Sequence, residues 1–164
     1  MFPLHVLVVD ENDQTLERIA NALTQAGYRV STRKNTLGAQ ADILALRPDL
    51  VLLDPSARGL RGDDLTLLLG LHPETADTAV VFHCETPPVD AKRAGALGVI
   101  QKSSDVAAFL RSFHAMVQTY TQGGLPKEDR AVIAERMFSG THRVAPAVPE
   151  LQDALIKTRT AAKR

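Results

Sequence analysis

Five short apolar runs, each followed by a segment of helical character, fill the first 120 residues, and this alternation limits the possible folds more than any other feature of the chain. The runs are Leu4–Val9, Tyr28–Ser31, Leu50–Leu53, Ala79–His83 and Gly98–Gln101. They are rich in Val and Leu and mostly lack polar alternation, as expected for strands covered on both faces. A strand–helix repeat of this kind implies parallel strands joined by crossovers, hence a three-layer α/β domain. Ligands of open α/β sheets bind at the carboxyl ends of the strands. The residues just after the runs therefore matter most: Asp10 and Glu11, Arg33, Asp54, Cys84 and Lys102.

The helical segments carry their own start and stop signals. Leu16, Ile19, Ala20 and Leu23 repeat at i, i+3, i+4 and i+7, with Asn12 or Asp13 as N-cap and Gly27 as the stop. Further helices are expected over Thr36–Leu46, ended before Pro48, and Asp63–Leu71, ended before Pro73. Pro87 and Pro88 leave only about Val89–Ala96 for a fourth. The clearest is Asp105–Tyr120, where Val106, Phe109, Leu110, Phe113, Val117 and Tyr120 make one apolar stripe.

Composition excludes several classes. The 164 residues suffice for one ordinary domain with some chain left over. Lys plus Arg and Asp plus Glu both number 19, and a neutral chain is poorly suited to coating nucleic acid or anionic membrane. The single cysteine, Cys84, has no intramolecular disulfide partner, which points to a reducing compartment. The opening MFPLHVLVVD lacks a basic region and its apolar run stops at Asp10, unlike a signal peptide. No stretch is apolar for the roughly 18 residues that a membrane span needs. These features describe a soluble cytoplasmic protein.

Asp10, Glu11 and Asp54 would bring three carboxylates to one edge of the sheet. The plain reading of the acid pair is helix capping, but Asn12 and Asp13 are better placed for it. Like charges in one site oppose ionisation, and a hard divalent cation resolves the conflict. Mg²⁺ takes few carboxylates together with water and phosphate oxygens. Lys102 alone is an ordinary strand-end lysine; beside these carboxylates it becomes part of a chemical constellation.

VLVVDEND, RPDLVLLD, Gly62 eight residues after Asp54, and Lys102 after GVIQ resemble the receiver domains of bacterial response regulators over about residues 3–120. The resemblance implies a flavodoxin-like (βα)₅ doubly wound sheet with strand order 2-1-3-4-5. It implies that Asp54 accepts a phosphoryl group from a histidine kinase or phosphotransfer protein. Asp10, Glu11, Asp54 and the backbone carbonyl of Ser56 would hold Mg²⁺, and Lys102 would contact the phosphoryl group. A carboxylate is a weak nucleophile, so such transfer depends on alignment and charge neutralisation.

Several positions depart from the family pattern. Cys84 stands where a switching Thr or Ser is usual, and a thiol is a weak donor that usually behaves as a small buried hydrophobe. A redox role for Cys84 would need a depressed pKa. His83 is expected to be a partly buried strand residue rather than a metal ligand. Glu85 would add a carboxylate near the site. Arg58 replaces a usual proline four residues after the acceptor, while Pro55 follows Asp54 directly and restricts it. The segment between Cys84 and Lys102 also looks about one helical turn short, which bears on the usual output surface.

Beyond Tyr120 the character changes. Residues 1–120 form the expected receiver domain, with 11 basic against 14 acidic residues; residues 121–164 carry 8 against 5. Thr121–Gly124 reads as a linker, Pro126 opens a helix over about Lys127–Phe138, and a connector with Pro146 and Pro149 leads to a helix over about Glu150–Ala162. A connector of that kind differs from the 3–4-residue turn of a helix-turn-helix, so DNA binding is not expected. Two short amphipathic helices cannot make a strong core of their own, and they read as an interaction module for a homodimer or an effector protein.

Three functions compete. The leading one is a non-enzymatic receiver in a two-component phosphorelay, signalling through protein contacts. The second is a pseudo-receiver adaptor that keeps the fold without the switch, favoured by Cys84, Arg58 and Glu85. The third, a phosphatase of the haloacid-dehalogenase type, needs a second Asp two residues after its nucleophile. Asn12 and Ser56 stand at those positions.

Overall fold

The runs assemble into one parallel sheet of five strands: β1 (His5–Val9), β2 (Arg29–Arg33), β3 (Leu50–Leu53), β4 (Ala79–Cys84) and β5 (Gly98–Gln101), ordered β2-β1-β3-β4-β5. Among the described residues of this computed structural model four helices accompany them: α1 (Asp13–Gln25), α2 (Ala39–Leu46), α3 (Gly62–Leu71) and α4 (Val106–Thr121). The structure describes residues 3–87 and 95–121. Most of the expected helix Val89–Ala96 and both helices expected beyond Thr121 lie outside the described residues. Gly95 and Ala96 are described and are not helical. No helix among the described residues is long and apolar enough to cross a membrane.

Alternation along the strands builds two cores. Leu7, Val9, Val51, Leu53, Val80 and Phe82 face α2 and α3 through Ala39, Ile43, Leu65 and Leu69. Val6, Val8, Leu50, Leu52, Val81 and Ile100 face α1 and α4 through Leu16, Ile19, Leu23, Phe109 and Phe113. The unbroken apolar runs are thus strands sandwiched between helices. β2 is the exception. It runs RVSTR with no fully buried residue, because as an edge strand it is covered less.

Several boundaries move from those expected, each for a local reason. β2 continues to Arg33, since its register with β1 runs from His5↔Arg29 to Val9↔Arg33. β4 reaches Cys84, which pairs with Gln101. α2 starts at Ala39, after Gly38 at φ 73°, because Thr36 serves the neighbouring loop instead. α1 matches the pattern closely: the Asn12 side chain accepts from Thr15 N–H, and Gly27 turns the chain at φ 95°.

The loop from Asp54 to Gly62 is pinned from outside. Thr36, 1% exposed, donates its N–H to the Arg58 carbonyl at 2.8 Å. Its hydroxyl lies 3.0 Å from the same carbonyl and 2.8 Å from that of Leu60. Gly59 sits at φ 113°, and a Cβ there would lie 2.5 Å from Thr36 Oγ1 and 2.9 Å from Leu37 N. Gly59→Ala is therefore expected to cost about 1–3 kcal/mol, as strained backbone at a crowded position does. A lower denaturant midpoint at unchanged slope is the expected result; an unshifted midpoint would show that the loop gives way freely.

Candidate functional site at the carboxyl edge of the sheet

Strand pairing carries on one residue past the strands and so fixes the site. Asp10 N–H donates to the Arg33 carbonyl at 3.1 Å, Asp54 N–H to that of Val9 at 2.9 Å, and Lys102 N–H to that of Cys84 at 2.9 Å. These residues end β1, β3 and β5 at the same edge, and their side chains converge there. Lys102 Nζ lies 2.6 Å from Asp54 Oδ2 and 2.8 Å from Asp10 Oδ2. The Asp10 and Asp54 side chains are only 2% and 10% exposed, and that of Lys102 14%, so this is a buried charge cluster.

The other oxygen of each carboxylate has donors of its own. Asn12 N–H donates to Asp10 Oδ1 at 2.8 Å. Ser56 donates twice to Asp54 Oδ1, from its N–H at 2.8 Å and its hydroxyl at 2.6 Å. Burial alone would raise the Asp54 pKa, but the bonds from Lys102 and Ser56 outweigh it and hold the carboxyl below its ordinary range. Burial likewise opposes charge on Lys102, and the two aspartates overcome it, so the ammonium is held above its usual value. Both groups are ionised at neutral pH. One ammonium between two buried carboxylates leaves negative charge in excess, and that environment suits a divalent cation.

Glu11 behaves differently from its neighbour. It is exposed, and its Oε1 lies 3.0 Å from Arg58 Nε. Among the described residues no three His, Cys, Asp or Glu side chains converge in cation-binding fashion. Asp10 and Asp54 meet, while Glu11 stands at the mouth of the site. Ser56 is adjacent to Asp54, as expected, but what touches the carboxylate is its N–H and hydroxyl, which the sequence reading overlooked. Serine at that position was the available signal.

Cys84 ends β4 beside this cluster and is buried. Burial, then the charge of Asp54, raise its pKa against the opposing pull of Lys102, so it is a neutral thiol. The inert small hydrophobe expected from sequence fits this environment. Glu85 is exposed, and its backbone carbonyl accepts from Gln101 Nε2 at 3.1 Å. Arg33 belongs to β2 and pairs with Asp42 on α2, away from the cluster.

His83 is fully buried rather than partly so, at 2% exposure, with its ring 5.3 Å from that of Phe109. Burial first, then the charge of Lys102, push its pKa down to about 4, against the pull of Asp10 and Asp54. The unfolded chain takes up this proton below about pH 6.5, the folded chain only below about 4. Stability therefore falls as pH drops from about 6.5 to 4, by up to about 3 kcal/mol, and this loss levels off below that window. His83→Leu should flatten the fall of melting temperature between pH 6.5 and 4.5 relative to wild type. Parallel curves for the two proteins would refute the buried-neutral assignment.

Comparison with known proteins agrees with the fold. A family model described as the response regulator receiver domain matches residues 6–114. The nitrogen assimilation regulatory protein NtrX of Azorhizobium caulinodans is 35% identical over 102 residues, covering 59% of this chain and 22% of that protein. Protein PilH of Pseudomonas aeruginosa is 28% identical over 116 residues, covering 68% of this chain and 96% of that protein. The chain thus spans about a fifth of NtrX but nearly all of PilH. Among solved structures, the chemotaxis response regulator CheY4 of Vibrio cholerae superposes with a TM-score of 0.65 at 19% identity, over 70% of this chain and 98% of that one. At that identity the likeness concerns the fold.

Proposed function

Because the chain belongs to the response-regulator receiver family, we propose that Asp54 accepts a phosphoryl group from a histidine kinase or phosphotransfer protein and that the domain signals through protein contacts. The observation that carries this reading is the convergence of Asp10 and Asp54 on Lys102 at the carboxyl edge of the sheet. Asp10, Asp54, Glu11 and the Ser56 carbonyl would hold Mg²⁺, which would supply positive charge to offset the phosphoryl oxygens.

The chain's own residues do the rest. An Asp54 oxygen forms the new O–P bond while the P–N bond to the donor imidazole breaks, and the electron pair leaves with the imidazole nitrogen. Asp54 arrives ionised, so no base is needed. Lys102 already touches Asp54 and carries the charge that meets the incoming phosphoryl oxygens. The product is a mixed anhydride, labile to water, as suits a reversible signal.

Incubation with Mg²⁺ and acetyl phosphate, followed by intact-mass measurement, tests this. One labile phosphoryl group is expected on the wild type and none on Asp54→Asn. A wild type that takes up no phosphoryl group from acetyl phosphate or a kinase would leave the adaptor reading in its place.

That second reading has one specific observation in its favour. The group at the switch position, Cys84, is a buried neutral thiol, a poor hydrogen-bond donor to phosphoryl oxygen. We infer that acceptance is retained and coupling is weak. Cys84→Thr should enlarge any phosphorylation-dependent change in association or in amide chemical shifts without changing the yield of phosphorylation. Identical responses of variant and wild type would dispose of the hydroxyl argument.

A further inference from the structure

Arg58 and Glu11 face each other across the mouth of the site from two anchored backbones. The root of Arg58 is fixed, since its carbonyl accepts from both N–H and hydroxyl of the buried Thr36. The root of Glu11 is fixed as well: the preceding Asp10 is bonded to Arg33 through its N–H, and its carboxylate accepts from Asn12 N–H. Only the side chains are free to move; that of Arg58 is 84% exposed and that of Glu11 46%. Among the described residues, Lys34 and Arg61 on neighbouring loops are engaged elsewhere, with Asp13 and Asp63.

We propose that Arg58 is a built-in competitor of the divalent cation, holding the Glu11 carboxylate out of the cation site until the cation draws it away. This rests on the cation-dependent reading given above and deepens it. A hard cation takes oxygen ligands. A guanidinium has donors only and cannot share in its coordination. The pair takes up Glu11 Oε1 and holds the carboxylate in one orientation, so the cation gains the full charge of Glu11 only as the guanidinium gives it up. Cation binding and release of Arg58 become one coupled event, and the released guanidinium is left free at the mouth of the site. Arg58 thus acts as a positioning residue through Glu11.

The test is calorimetric titration of the full chain with Mg²⁺ at low ionic strength, where exposed charges are least screened. The proteins are wild type, Arg58→Gln, Arg58→Lys, Glu11→Gln and the Glu11→Gln/Arg58→Gln double variant. An exposed ion pair is worth little, so the expected gain in Mg²⁺ affinity for Arg58→Gln is modest, roughly two- to fivefold. Arg58→Lys should fall between it and wild type. In the Glu11→Gln background the Arg58→Gln gain should vanish, which neither a fold defect nor a general charge effect would produce. Equal affinities of wild type and Arg58→Gln would overturn the proposal, as would an undiminished gain in the Glu11→Gln background. If no protein of the set binds Mg²⁺, the cation-dependent reading fails and the proposal falls with it.

Discussion

The ammonium of Lys102 between Asp10 and Asp54 is the interaction on which the site depends. Two carboxylates nearly removed from water repel each other, and each carries a desolvation penalty of several kcal/mol. Lys102 lies within 2.8 Å of both and makes their joint burial tolerable. The cluster is no source of net stability, since a well-packed apolar group would often do as well there. It persists where the sheet puts it, at the ends of β1, β3 and β5. The two apolar layers supply the stability that the charged edge lacks. Strands covered by helices on both faces leave their ends as the place where polar groups can gather.

The loop after Asp54 is the second constraint. Pro55 follows Asp54 immediately, and Gly62 packs against it so closely that a Cβ at Gly62 would lie 2.5 Å from Pro55 Cα. Between these two points Thr36 reaches across from the β2–α2 connection and holds the Arg58 and Leu60 carbonyls. A buried polar side chain spent on a loop in this way sacrifices the first turn of a helix that periodicity alone would place there. In return, Ser56 and Arg58 project from a fixed backbone, one onto the Asp54 carboxylate and the other onto Glu11.

Much of this architecture is legible in the sequence. The apolar runs mark β1, β3 and β4 because a doubly covered strand has little room for polar residues, while the edge strand β2, running RVSTR, is marked more faintly. Asp10, Asp54 and Lys102 are legible for the same reason, as charges abutting apolar runs. Less legible are features set by tertiary contact. Thr36 looks like a helix residue until its loop partner is known. The two donors on Ser56 depend on a turn that no periodicity encodes. Glu11, adjacent to Asp10 in the chain, reads as its twin; yet the side chains diverge, one into the cluster and one to the surface. Neighbours in a turn share a position in sequence without sharing an environment.

The two oxygens of Asp54 are held by different means, and this shapes the chemistry proposed for it. Oδ2 meets a buried ammonium that cannot leave without stranding Asp10 as well. Oδ1 meets Ser56 twice, through a backbone N–H that stays in place and through the hydroxyl of an exposed residue, which can rotate away at small cost. An oxygen that must form a new bond is more readily freed on the Ser56 side than on the Lys102 side. Lys102 then remains in place while negative charge builds up next to it. The strong partners that lower the Asp54 pKa also make it a poorer nucleophile, so reactivity has to come from alignment and from added positive charge.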